Sequence, residues 1–206
     1  MEDRHSSDHK SRVAREAAVL LYTQQEQEYM QAKRKAAATL RTRILPSNKE
    51  IAQELDRLAD ETEGEMRKQR LIQMRKDALA IMVLLGECHP RLVGSVWRGT
   101  ASKNSDIDVE TFSTEPQTTL EKLKDAGIKV QSADWKAVTK GKKIENALHI
   151  YITLPSSNQA EVIVRDPDKM TETERDEIYG DTVKGLNMHQ LRRVLTQNPT
   201  RKFTPP

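Results

Sequence analysis

The stretch Leu92–Phe112, LVGSVWRGTASKNSDIDVETF, constrains this chain more than any other. The apolar pair Leu92-Val93 leads into a Gly94-Ser95 turn and a polar linker, after which Asp106-Ile107-Asp108-Val109 alternate strictly. Successive side chains of a strand point to opposite faces, so both aspartates share one face. With a rise of about 3.3 Å per residue they start roughly 6.5 Å apart, close enough for their carboxylates to converge. Two such acids repel, and a hard divalent cation such as Mg²⁺ is the usual way to neutralise them. A glycine lets backbone approach a phosphate closely, and the N–H groups and hydroxyl that follow it can bind phosphate oxygens. Metal handling beside phosphate handling points to nucleotide chemistry.

A chain of 206 residues suffices for one large domain, or a domain with an appendage, and for a sizeable core. Its 32% charged and 36% hydrophobic content predicts a soluble protein with much helical surface. No stretch approaches the roughly 18 apolar residues of a membrane span, and MEDRHSSDHK lacks the apolar core of a signal peptide, so a cytoplasmic protein with no membrane contact is expected. The single cysteine, Cys88, cannot form an internal disulfide and reads as a packed thiol. A net charge of +3 does not advertise nucleic-acid binding. The local cluster Lys136, Lys140, Lys142 and Lys143 reads either as a phosphate contact or as a solvated loop.

Residues 1–10 are polar and without period, which predicts a disordered start. Helical spacing of Val13, Ala17, Leu20, Leu21, Tyr29, Ala32, Ala36 and Leu40 predicts a first long helix. A second opens at Ser47, which forms a capping box with Glu50, and runs to about Leu85 with Gly64 as its weak point. The expectation is a helical hairpin module over 11–88, joined at Leu45-Pro46, serving as scaffold, homo-oligomer contact or protein-partner surface, with RNA contact as the lesser alternative because acids and bases are nearly balanced along it. After the Asp-rich strand come a helix ending at Gly127, strands at Ile128–Ser132, Ala147–Leu154 and Ala160–Arg165, and a helical stretch from Thr171 to Gln197. Pro155-Ser156-Ser157-Asn158 has the composition of a hairpin turn. The reading is an α+β fold, with a domain over 89–198 and a tail at 199–206.

Gly94-Ser95, Arg98-Gly99 and Ser105-Asp106-Ile107-Asp108 together resemble the signature of the DNA polymerase β-type nucleotidyltransferase superfamily. The spacing is most similar to the minimal nucleotidyltransferases, with a weaker similarity to the head domain of archaeal CCA-adding enzymes. The resemblance implies a mixed sheet with flanking helices and Asp106 and Asp108 holding two Mg²⁺ ions. It implies Gly94 and Ser95 on the triphosphate, with Arg98 and Ser105 as further nucleotide-binding candidates. Arg98 reads equally as a structural ion pair, Ser105 as a local backbone contact, and Gly99 as a turn former. A third carboxylate is expected from a later strand. Glu161 is the candidate, one methylene longer than the aspartate usual in the family, and Glu110, on the face of Asp106 and Asp108, is the alternative. His149 and Tyr151 share a strand face and read as pocket lining or as a half-buried structural pair. Trp97 reads as a base platform or packing residue, and Trp135 as packing. The implied activity is transfer of a nucleoside monophosphate from an NTP to an acceptor hydroxyl, on an RNA 3′ end or a protein side chain, with release of pyrophosphate. The alternative is a weakly active or inactive nucleotide-binding regulatory module acting through its helices, such as an antitoxin-like protein.

Overall fold

The computed structural model describes residues 2–140 and 143–205, with side chains at 8–137 and 146–205. The chain forms two compact units, Met1–Arg67 with Arg175–Asp181, and Lys68–Glu174 with Thr182–Pro206.

In the first unit, helix α1 spans Glu2–Tyr22 and α2 spans Tyr29–Thr39. The single long helix expected here is broken at residues 23–28, where Gln24 takes a φ of 57° and reverses the chain. The start expected to be disordered is helical from Glu2. Once Val13, Ala14 and Ala17 are fully buried the turn is nucleated, and extending a helix costs little per added residue. Alanines from both helices pack with Leu20 and Ile51 into a small core of short side chains. Helix α3 covers Asn48–Leu84 and opens with the Ser47–Glu50 capping box: Glu50 Oε2 accepts from Ser47 N at 2.7 Å, and Ser47 Oγ accepts from Glu50 N at 3.2 Å. Gly64 interrupts it with φ 54° and ψ −130°. Arg67 then reaches back to the carbonyl of Asp56 at 2.9 Å. Eleven residues of straight helix would separate these positions by ~16 Å, beyond the reach of an arginine, so the chain bends at Gly64.

The second unit is built on a six-stranded mixed sheet in the order β3-β4-β5-β2-β1-β6. Its strands are β1 (Arg91–Val93), β2 (Ile107–Phe112), β3 (Lys129–Lys140), β4 (Lys143–Thr153), β5 (Gln159–Arg165) and β6 (Leu186–Asn187). Among the described residues only β2 and β5 run parallel. The β4–β5 hairpin turns at Ser157, φ 68°. One sheet face, with Leu92, Ile107, Val109, Ile150, Ile152, Val162 and Val164 buried, makes the core with Met74, Ala78, Ile81, Met82 and Leu85 of the chain's long-helix region. These apolar residues explain why the boundary between units falls at Arg67 rather than near residue 88. Helices α4 (Gly94–Arg98), α5 (Pro116–Asp125) and α6 (Met188–Gln197) supply Val96, Trp97, Leu120, Leu123, Leu191 and Val194 to the same core. The helix expected from Thr171 begins only at Met188, because Gly180 and Gly185, at φ 72° and 61°, hold the preceding segment irregular. Among the described residues no helix is long and apolar enough to cross a membrane.

Candidate active site

The opposite face of the sheet carries the acids. Asp108 on β2 and Glu161 on β5 are direct register partners across the parallel pair, and Asp106 stands just before the first residue of β2. Among the described residues, one carboxylate oxygen from each of Asp106, Asp108 and Glu161 lies within 4.8 Å of the others. Strand β1 brings Val93 opposite Asp108, and the next residue, Gly94, turns the chain into α4 with φ 68°. A Cβ at Gly94 would stand 2.9 Å from Asp108 Cγ and closer still to its Oδ2. A side chain here would displace the protein's own carboxylate as well as strain the turn. Ser95 follows, half-buried at the head of α4.

Crowding the three acids has an electrostatic consequence. Burial raises the Asp108 carboxyl well above its ordinary value, and the charges of Asp106, Glu161 and Glu110 push it the same way. Asp106, on the open side, is also raised, by desolvation first and by Glu161. Three hard oxygen donors that repel one another fit a divalent cation of the Mg²⁺ type, whose charge would remove the repulsion.

Glu161 is held from the side. His149 on β4 is buried, and its Nδ1 lies 2.6 Å from Glu161 Oε1. Tyr151, two residues along, is the register partner of Glu161. Burial, and then a hydrogen bond to Glu161, raise the Tyr151 phenol above its ordinary value. Lys136 of β3 donates to the Tyr151 hydroxyl and stands 4.9 Å from the centroid of its ring.

The remaining candidates are placed differently. Glu110 shares the face of Asp108, but its carboxylate accepts from buried Arg165 at 3.1 Å, and Arg165 also pairs with Glu174. Buried Arg98 donates from Nη1 to the Phe203 carbonyl at 3.1 Å and stacks over Trp97 at 4.5 Å. Ser105 Oγ accepts from Ser102 N at 3.0 Å. Gly99, φ 77°, closes α4 where a Cβ would meet the Arg201 carbonyl at 2.7 Å. Trp97 is in the core, whereas Trp135, expected to pack, is 62% exposed on β3. Of the lysine cluster, Lys142 lies outside the described residues, as do the side chains of Lys140 and Lys143.

One supporting residue has no signature in the sequence. Arg75 is fully buried and donates to four carbonyls: Val96 at 3.1 Å, Trp97 at 3.0 Å, Pro199 at 2.7 Å and Arg201 at 2.8 Å. Burial lowers its guanidinium to about 10. With Phe203 N donating to the Arg98 carbonyl at 2.8 Å, it fastens the segment expected to be a tail against α4, the helix that begins beside Asp108.

No protein-family model matches the chain, and no curated protein matches it. Solved structures share part of its arrangement. A Cid1 poly(U) polymerase is 20% identical, with a TM-score of 0.32, over 45% of this chain and 30% of that one. A cytoplasmic RNA terminal U-transferase is 19% identical, with a TM-score of 0.33, over 47% and 29%. The non-canonical poly(A) polymerase complex GLD-2–GLD-3 is 14% identical, with a TM-score of 0.35, over 57% and 40%. The chain thus spans well under half the length of these structures, and the chemistry proposed below rests on the site's own residues.

Proposed function

We propose that this chain is a Mg²⁺-dependent nucleotidyltransferase that moves a nucleoside monophosphate from an NTP to an acceptor hydroxyl and releases pyrophosphate. The observation that carries the reading is the convergence of Asp106, Asp108 and Glu161 within 4.8 Å, next to the Gly94-Ser95 turn. The three carboxylates would hold the metal, which when bound supplies charge neutralisation for the triphosphate and a more acidic attacking hydroxyl. Glu161, with one oxygen held by His149, would complete the metal site as the third carboxylate. Gly94 and Ser95 offer backbone N–H groups and a hydroxyl to the triphosphate oxygens. Arg98 and Ser105 stand as further nucleotide-binding candidates: Arg98 donates from Nη1 to the Phe203 carbonyl, and Ser105 Oγ accepts from Ser102 N, which leaves its hydroxyl a proton to donate.

The test is incubation of the purified chain with each labelled NTP, Mg²⁺ and either total RNA or cell lysate, beside the double variant Asp106→Asn/Asp108→Asn. Label should enter RNA or a protein band with wild type and neither with the variant. Transfer by the double variant at the wild-type rate would overturn the assignment, and the labelled species identifies the acceptor.

A further inference from the structure

We infer that His149 is a positioning residue for the third carboxylate, fixing the Glu161 side chain so that its second oxygen is presented to the metal shared with Asp106 and Asp108. This rests on the function proposed above, but the device itself is a matter of geometry. Glutamate carries one more rotatable bond than aspartate, so a metal ligand on Glu161 has a further torsion to immobilise. The register Asp108↔Glu161 fixes where the backbone of Glu161 sits and leaves that torsion open. His149 closes it, because its Nδ1 meets Oε1 at 2.6 Å from the adjacent strand.

His149 is 8% exposed, and its other nitrogen, Nε2, is buried without a hydrogen-bond partner among the described residues. A buried imidazole kept only for packing would be replaceable by an apolar ring, and this one leaves a polar atom unsatisfied. The contact to Glu161 is what the histidine supplies. With the ionised carboxylate as acceptor, Nδ1 carries the proton and donates. Tyr151, the register partner of Glu161, stands at the next position on the same face. The Lys136 ammonium has only donors, so the Tyr151 oxygen accepts from it. Outer partners of this kind orient metal ligands, and removing them weakens metal binding or activity by about ten- to a hundredfold.

The experiment reads Mn²⁺ binding by electron paramagnetic resonance in the full chain without nucleotide, since carboxylate sites that take Mg²⁺ also take Mn²⁺. His149→Ala should weaken Mn²⁺ binding about ten- to a hundredfold. His149→Asn, whose amide N–H falls near the Nδ1 position, should recover most of the loss. His149→Gln, whose amide falls near Nε2, should not, and this pair serves if the alanine variant fails to fold. In a Glu161→Asp background the shortened side chain no longer reaches His149, so His149→Ala should add little. The proposal is overturned if wild type binds no Mn²⁺, if His149→Ala binds it as wild type does, if Asn is no better than Gln, or if the losses at 149 and 161 multiply. Mn²⁺ binding that follows this pattern in a chain with no transfer activity would sink the proposed reaction and leave the role of His149 standing.

Discussion

Gly94→Ala tests the link between the turn and the metal site more sharply than removing an acid does. Two costs can be worked from the structure. A φ of 68° places an alanine in the left-handed region, at roughly 1–2 kcal/mol. For a chain of this size that corresponds to a melting temperature lower by about 2–8 °C. The new Cβ would stand 2.9 Å from Asp108 Cγ, where unstrained carbons sit at about 3.5–4.0 Å, so the carboxylate must retreat by ~1 Å. A displacement of ~1 Å in a reacting constellation costs on the order of a hundredfold in rate. The assay has three readings: thermal melting, Mn²⁺ binding without nucleotide, and nucleotide transfer. All three should fall. If Mn²⁺ binding is intact while nucleotide transfer is lost, Gly94 serves phosphate approach alone, and the inference that it makes room for Asp108 is refuted.

A carboxyl raised on folding keeps its proton in the folded chain at pH values where the unfolded chain has lost it. Stability therefore declines as pH rises from the ordinary Asp value of 3.8 through the raised value of Asp108. Without metal, wild type should thus melt lower at pH 7 than at pH 5, with Asp108→Asn flattening the slope and Mg²⁺ opposing it; a metal-free melt that climbs through this window removes the argument. Arg75→Lys keeps the charge but cannot reach four carbonyls with one ammonium, and should cost ~2–4 kcal/mol in urea unfolding. Trypsin should then cut at Arg201 and Lys202 faster than in wild type, and equal cutting would mean the C-terminal segment is held by other contacts. Gly64→Ala, in a backbone region open essentially to glycine alone, should cost about 1–3 kcal/mol although no atom lies within 4 Å of the added Cβ. An unchanged unfolding midpoint would show that the helix passes through Gly64 without strain.

The α+β class, the β4–β5 hairpin and the two aspartates on one face were legible because each rests on local pattern: alternation, turn composition or a capping box. Local pattern favoured Glu161 over Glu110 only slightly, since each sits on a strand of suitable period. Long-range pairing is what puts Glu161 beside Asp108 and Arg165 beside Glu110. The same holds for His149, whose partner is on another strand. Arg75 falls among charged residues of a long helix and looks solvated, and Thr200 to Pro206 looks loose until the carbonyls of Pro199 and Arg201 are seen to satisfy that guanidinium. The false helix at Thr171 came from a charged, glycine-punctuated run whose composition suits a helix surface but which lacks an apolar stripe before Leu186.

The parallel pairing of β2 with β5 also gives the acidic cluster a place in the order of folding. Asp108 and Glu161 are separated in sequence by the whole β3–β4 excursion, so their meeting is a non-local closure of the kind that slows folding. A slip of one residue would turn Glu161 to the apolar face, so no partly registered sheet can assemble the trio. If the trio holds an ion as proposed, its affinity is a gauge of completed topology: an early collapsed state, however compact, should not bind the ion, and the moment of binding in a refolding experiment marks the closure of the central strand pair.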